Sequence, residues 1–142
     1  MEIRRITQYD PALLDAVRSL LGQLSPTAGR LTEARFRELL AAPSAHLLML
    51  FDDEGRPAGM LTVGLYPTPG GVKAWIEDVA VDRACRGRGY GRAIVSHAIG
   101  YARMLGADML GLTSNPARVA ANGLYRSLGF EPYTTNVYRM KL

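Results

Sequence analysis

The sequence predicts a single mixed α/β domain in the order β-α-α-β-β-β-α-β-α-β. Three observations carry that expectation. The chain has 142 residues and is 48% hydrophobic, enough for one compact core and too short for two ordinary domains. Its middle third reads as apolar runs separated by turn residues, the mark of a strand meander. Its flanks carry apolar residues at helical spacing. A meander joined to crossover helices implies a mixed sheet with helices packed on it.

The elements follow in order. Residues 2–7 form a first strand. Asp10-Pro11 suits an N-cap followed by proline at the first helical position, and Leu13, Leu14, Val17, Leu20 and Leu21 continue the helix until Gly22 stops it. Residues 24–30 are a loop. Thr32 caps a second helix, with Leu31 and Phe36 placed as a hydrophobic staple, and this helix ends before Pro43. Runs 46–51 and 58–66 pair as a hairpin about Asp52-Asp53-Glu54-Gly55. After the turn at 67–71, residues 73–81 add the third strand of the meander. A glycine-rich loop then opens into a helix. Its buried stripe is Ile94, Val95, Ala98, Ile99, Ala102 and Leu105, and Gly106 closes it. Residues 109–113 form a strand. Asn115-Pro116 caps a last helix carrying Ala121, Leu124, Tyr125 and Leu128 on one face, with Gly129 at its end. Residues 130–140 supply the final strand or hairpin.

Composition narrows the function classes. The formal net charge is +4, and 15 of the 17 basic residues are arginines. Arginine binds phosphate through a planar fork, although a GC-rich genome gives the same bias. The sole cysteine, Cys85, excludes an internal disulfide and a multi-cysteine metal site, and it lacks a histidine-asparagine signature for covalent acyl transfer. His46 and His97 are isolated, so no metal site is expected. No apolar run follows the N-terminus, and the longest, near 47–51, is far too short to span a bilayer. The sequence thus reads as that of a soluble, cytoplasmic protein without membrane or nucleic-acid partners. A nucleic-acid module would want a basic stripe with stacking aromatics, whereas aromatics are 8% and the arginines gather at one loop.

That loop is Arg86-Gly87-Arg88-Gly89-Tyr90-Gly91, followed by Arg92. It lies between a strand and a helix start, where unpaired N–H groups and a partial positive charge favour anions. Arg92 stands where a dinucleotide fingerprint needs its final glycine, and no Gly-Lys-Ser/Thr follows for a Walker A loop. From the loop alone, an anion site and a plain basic turn remain equal readings.

The segment resembles the Arg/Gln-x-x-Gly-x-Gly/Ala signature of the Gcn5-related N-acetyltransferases, the GNAT superfamily. The preceding Ile76-Glu77-Asp78-Val79-Ala80-Val81-Asp82 is similar to that family's fourth strand. A second family-like stretch runs from Asn115-Pro116-Ala117-Arg118 through Ala121, Asn122, Leu124 and Tyr125 to Leu128-Gly129-Phe130. The resemblance covers nearly the whole chain, 1–142, as one N-acetyltransferase domain. It implies splayed fourth and fifth strands holding acetyl-CoA. Amides of Val79 and Val81 would pair with the pantetheine arm. Amides of Arg86, Gly87, Arg88, Gly89, Tyr90, Gly91 and Arg92 would cradle the pyrophosphate. Asn115, Asn122 and Tyr125 would line the far side of the gap. Val79 or Ala80 would hold the oxyanion through its N–H. Tyr125 falls at the position of the family's proton-donating tyrosine.

Acetyl transfer to an amine also needs a base, because an alkyl amine with a pKa of about 10.4 is protonated at neutral pH. Glu77 is the candidate, sharing strand parity with Trp75, Val79 and Val81. A bulge in this strand would exchange the faces and favour Asp78, and a water chain is the third choice. The alternatives to a direct-transfer enzyme are a non-catalytic acetyl-CoA sensor and a nucleic-acid module. The acceptor stays open among glucosamine phosphate, a polyamine, an amino acid, an antibiotic and a protein N-terminus, with a small-molecule amine favoured. A homodimer stays open as well, since many relatives dimerise.

Overall fold

A computed structural model describes residues 1–26 and 30–142. Its elements are β1 (Glu2–Arg5), α1 (Pro11–Leu24), α2 (Glu33–Ala41), β2 (Ala45–Phe51), β3 (Pro57–Thr68), β4 (Gly71–Val81), α3 (Tyr90–Met104), β5 (Met109–Gly111) and α4 (Val119–Ser127), with a single 3-10 turn at Arg83–Cys85. The strands form one mixed sheet in the order β1-β2-β3-β4-β5. The first four pair antiparallel, and β5 joins β4 in parallel after the α3 crossover.

The apolar pattern explains the layering. In β2, Leu47, Met49 and Phe51 face one way and Leu48 and Leu50 the other, so the strand is apolar throughout because both its faces are covered. The odd set packs under α1 and α2 with Leu14, Val17, Leu20, Phe36 and Leu40. The even set packs under α3 with Ile94, Val95, Ala98 and Ala102. His46, buried at the start of β2, is structural. Its Nε2 donates to the Pro43 carbonyl at 3.0 Å, so its Nδ1 accepts from the Tyr101 hydroxyl at 2.7 Å.

The expected caps form. The Asp10 side chain accepts from the Ala12 N–H at 2.7 Å, and the Thr32 side chain from the Arg35 N–H at 3.2 Å. Gly106 and Gly129 close α3 and α4 with paired C-terminal bonds. One of them, from the Phe130 N–H to the Tyr125 carbonyl at 3.0 Å, brings the two rings together edge to face. In the β2–β3 turn, the buried Asp52 carboxylate accepts from the N–H groups of Glu54 and Arg56 and from the Arg56 guanidinium. The Arg56 N–H, foremost, holds Asp52 below the usual carboxylate range.

Several boundaries differ from expectation, among them β1, which ends at Arg5 and not at 7, and β5, which ends at Gly111 and not at 113. Gly22 does not end α1, which runs on to Leu24 because Leu24 continues the apolar stripe under the sheet. Asn115 does not cap α4. Its side chain caps a turn by accepting from the Ala117 N–H at 2.8 Å, and the helix begins only at Val119. The final strand expected over 130–140 is absent, since no described strand pairs with that segment. Part of the loop expected over 24–30, namely 27–29, lies outside the described residues.

Candidate active site

The site begins with a fault in β4. Thr62 pairs with Glu77 and Met60 with Ala80, so one β3 residue stands opposite Asp78 and Val79 together. This is a β-bulge, and Asp78 occupies it at φ 52°, in the left-handed region. The bulge reverses the strand's parity. Ala74 and Ile76 pack under α3, as does Val79, whereas Ala80 packs under α1 and α2. The expectation that Glu77 shares a face with Val79 and Val81 is therefore corrected: it shares one with Trp75, and the bulge turns the strand before Val79. Asp78 is the extra residue itself.

Just before the bulge β4 parts from β5. Their pairing stops at Trp75 and Gly111, while β4 continues to Val81. Asp82 donates its N–H to the Ala58 carbonyl on the β3 side at 2.9 Å. Because N–H directions alternate along a strand, those of Val81 and Val79 point to the open edge, and that of Ala80 points to β3. Ala80 also buries its side chain on the far face.

The gap is a cleft of about 180 Å³, floored by Ile76, Glu77, Asp78 and Val79 and walled by Leu112, Thr113 and Tyr125, with Arg118 and Leu24 at its sides. Leu24 reaches it because α1 outruns Gly22. Leu24, Leu112 and Thr113 escape a motif-based reading, since nothing in their sequence spacing marks them, whereas Arg118 lies in the second family-like stretch. Beside Thr113, the Ser114 hydroxyl is buried without a hydrogen-bond partner. Asn115 and Asn122 do not line the cleft. The Asn122 side chain donates to the Asn115 and Arg118 carbonyls, each at 2.9 Å, and so braces the approach to α4.

Two titratable groups in the cleft are displaced. Partial burial raises Glu77 above the usual carboxylate range, Asp78 beside it adds to the shift, and the Trp75 side chain opposes it. Burial also raises Tyr125, while Arg118 pulls it back. Only 6% of Tyr125 is exposed, and its phenol makes no hydrogen bond with any described residue. A protonated phenol and a carboxylate of enhanced basicity therefore face one cleft.

The loop continues the open edge of β4. The first α3 bond runs from the Ala93 N–H to the Gly89 carbonyl at 3.0 Å, which leaves the N–H groups of Tyr90, Gly91 and Arg92 without helical partners. Those of Gly87, Arg88 and Gly89 bond to no described residue. Gly87 and Gly89 stand at φ 76° and 79°, a backbone that side chains resist. Arg83, Arg86 and Arg88 are exposed and outside every ion pair among the described residues. Arg92 differs, because its guanidinium donates to Ser127 Oγ at 2.8 Å and ties α3 to α4. Only its backbone is left for a ligand. Gln23 steadies the loop by accepting from the Arg83 N–H at 2.9 Å.

A five-stranded mixed sheet parting at β4, with unpaired amides at the next helix start, matches the acetyltransferase fold. Residues 14–130 match the acetyltransferase (GNAT) family, and the chain belongs to it. It is an N-acetyltransferase. Over 119 residues it is 34% identical to glucosamine 6-phosphate N-acetyltransferase 1 of Oryza sativa subsp. japonica, covering 78% of this chain and 70% of that one. A solved structure from Agrobacterium tumefaciens str. C58, assigned to the acetyltransferases, is 28% identical at TM-score 0.86 and covers 99% of this chain and 100% of its own. Glucosamine-6-phosphate N-acetyltransferase from Arabidopsis thaliana shares the fold at TM-score 0.76 and 19% identity, covering 99% of each chain. Among the described residues no group of histidine, cysteine and acidic side chains could hold a metal ion, and no helix is long and apolar enough to cross a membrane.

Proposed function

We propose that this chain moves the acetyl group of acetyl-CoA directly to the primary amine of a small molecule bound beside it. The observation that carries this reading is the continuity of the free β4 edge with the free amides of the loop. A pyrophosphate suits the amides of Gly87 to Arg92, with Arg83, Arg86 and Arg88 adding charge. An amide-bearing arm suits the Val81 N–H, as a neighbouring strand would, which leaves the Val79 N–H for the thioester carbonyl. Acetyl-CoA supplies an activated thioester at the cleft. Glu77 takes a proton from the incoming ammonium, directly or through water, and its raised pKa makes it the stronger base. The Val79 N–H holds the developing oxyanion. Tyr125 gives its proton to the departing thiolate, which its raised pKa keeps available at neutral pH.

Glucosamine 6-phosphate is the first acceptor to try, because the rice relative bears that name at 34% identity. The test is thiol release from acetyl-CoA in the presence of glucosamine 6-phosphate, glucosamine, an aminoglycoside, a polyamine, an amino acid and a peptide with a free N-terminus. Amine-dependent release with a small molecule is expected. Release with the peptide alone would refute the small-molecule reading, and release with none would refute the transfer reading.

A further inference from the structure

The cleft holds three charged side chains that do not neutralise one another. Glu77 and Asp78 lie on its floor, and Arg118 lies at its side. None of the three joins an ion pair among the described residues. The charges are also sorted. After burial, the charge that acts on Glu77 is Asp78, and the charge that acts on Tyr125 is Arg118. The acids thus mark the bulge end of the cleft, and the guanidinium marks the α4 end. Arg118 is held there by its backbone. Its N–H donates to the Asn115 carbonyl at 3.0 Å, and its carbonyl accepts from the Asn122 N–H at 3.0 Å and from the Asn122 side chain at 2.9 Å. The same side chain reaches the Asn115 carbonyl at 2.9 Å, which completes the brace. The guanidinium itself donates to no described residue. A planar fork of N–H donors, fixed at its root and unpaired at its tip, suits a carboxylate or a phosphate.

We propose that Arg118 anchors an acidic group on the acceptor, so that the chain acetylates amines that also bear a phosphate or a carboxylate. This class rests on the transfer reading above: the acceptor's ammonium lies toward Glu77, and its anion lies toward Arg118. In that reading the coenzyme's phosphates go to the α3 amides with Arg83, Arg86 and Arg88. Arg118 instead shares the cleft with Glu77 and Tyr125, where the amine and the thioester meet. A second ammonium in place of the anion would meet a like charge and leave the fork unpaired. Polyamines and aminoglycosides should therefore be poor acceptors. Arg118 is exposed, so water weakens the pair and the expected preference is about tenfold.

Matched acceptors test this. Glucosamine 6-phosphate is compared with glucosamine, and β-alanine with its carboxamide, by kcat/KM in thiol release. In at least one pair the acidic member should be favoured about tenfold, and the pair that shows it tells phosphate from carboxylate. Arg118→Gln should bring that ratio to about one, whereas Arg118→Lys keeps the charge without the fork and should keep part of it. A ratio near one in both pairs for the unaltered chain would overturn the anchor and leave transfer standing. So would an Arg118→Gln chain that slows both members equally, or that alters only KM for acetyl-CoA. Calorimetric titration of the same acceptors into the chain saturated with coenzyme A reads the anchor without turnover. The acidic member should bind about tenfold more tightly, and Arg118→Gln should erase the difference. Tighter binding of the acidic member without any transfer would sink the transfer reading and keep the anchor. Equal binding of both members, or binding of neither, would overturn the anchor.

Discussion

Tyr125 is buried on the apolar face of α4 and open to the cleft at its phenol, so packing and chemistry call on different ends of one side chain. Its hydroxyl bonds to no described residue, and Tyr125→Phe should melt like the parent. It should nevertheless lower kcat by about 10²-fold or more with KM for acetyl-CoA kept within a few-fold, because a proton donor is lost and the packing is kept. Steady-state kinetics decide this, and an unchanged kcat would remove the phenol from the reaction. Glu77 gives a prediction in pH. As the proposed base it works as the carboxylate, so activity should fall as pH drops through its pKa. Burial and Asp78 raise that pKa, so the acidic limb of kcat/KM should lie above the ordinary carboxylate range. Glu77→Gln should abolish that limb and cost about 10²–10⁴-fold in rate. Asp78→Asn removes the neighbouring charge and should move the limb to lower pH; a limb that stays put would mean that Asp78 does not act on the titrating group. The types of both acids were visible in the sequence, but their facing was not. Strand parity extrapolates across Asp78, and nothing in its neighbours announces a left-handed residue there.

At the scale of elements, most of the chain was legible because caps and apolar spacing are local properties. Asp10, Thr32, Gly106 and Gly129 act where their types say they should. The failures share a cause, since each depends on a remote partner. Gly22 reads as a stop, but the sheet beneath α1 rewards another turn through Leu24. Residues 130–140 read as a strand or hairpin, but a strand needs an edge to join. The β4–β5 contact shows the same dependence from the packing side. Gly111 lies so close to Trp75 that an added Cβ would stand 2.3 Å from the indole ring, whereas at Gly22 it would meet nothing within 4 Å. Gly111→Ala should therefore cost roughly 1–3 kcal/mol by overpacking at the last β4–β5 pair. Gly22→Ala, inside a helix, should stabilise by roughly 0.5–1 kcal/mol. Denaturant titrations of both variants test the contrast, and equal effects would contradict the close approach at Gly111.

For the whole molecule, the cleft is the seam between two cores. One packs α1 and α2 on the sheet, the other packs α3 and α4, and the gap after Trp75 and Gly111 leaves β4 edge groups and cleft walls without protein partners. The loop motif alone left an anion site and a basic turn as equal readings, and the two motifs together made the family legible, but the shape of the gap depends on a bulge and a strand ending that no motif encodes. A seam of this kind has a thermodynamic consequence. A ligand that fills it binds the folded chain and not the unfolded one, so it stabilises by RT ln(1 + [L]/Kd), about 2.7 kcal/mol at 100 times Kd. For a chain of 142 residues that raises Tm by on the order of 10 °C. In the proposed complex the loop takes the phosphates and the β4 edge takes the arm, so acetyl-CoA and free coenzyme A should both produce the rise. S-acetylpantetheine at equal concentration should produce little, because it lacks the groups that Arg83, Arg86, Arg88 and the α3 amides attract. At fixed ligand concentration the rise should shrink with added salt, since exposed arginines are screened within about 10 Å at 0.1 M ionic strength. A thermal melt with each ligand at two salt concentrations gives the answer. A salt-independent rise, equal for acetyl-CoA and S-acetylpantetheine, would take the Arg86 to Arg92 segment out of coenzyme binding and leave the cleft alone to account for it.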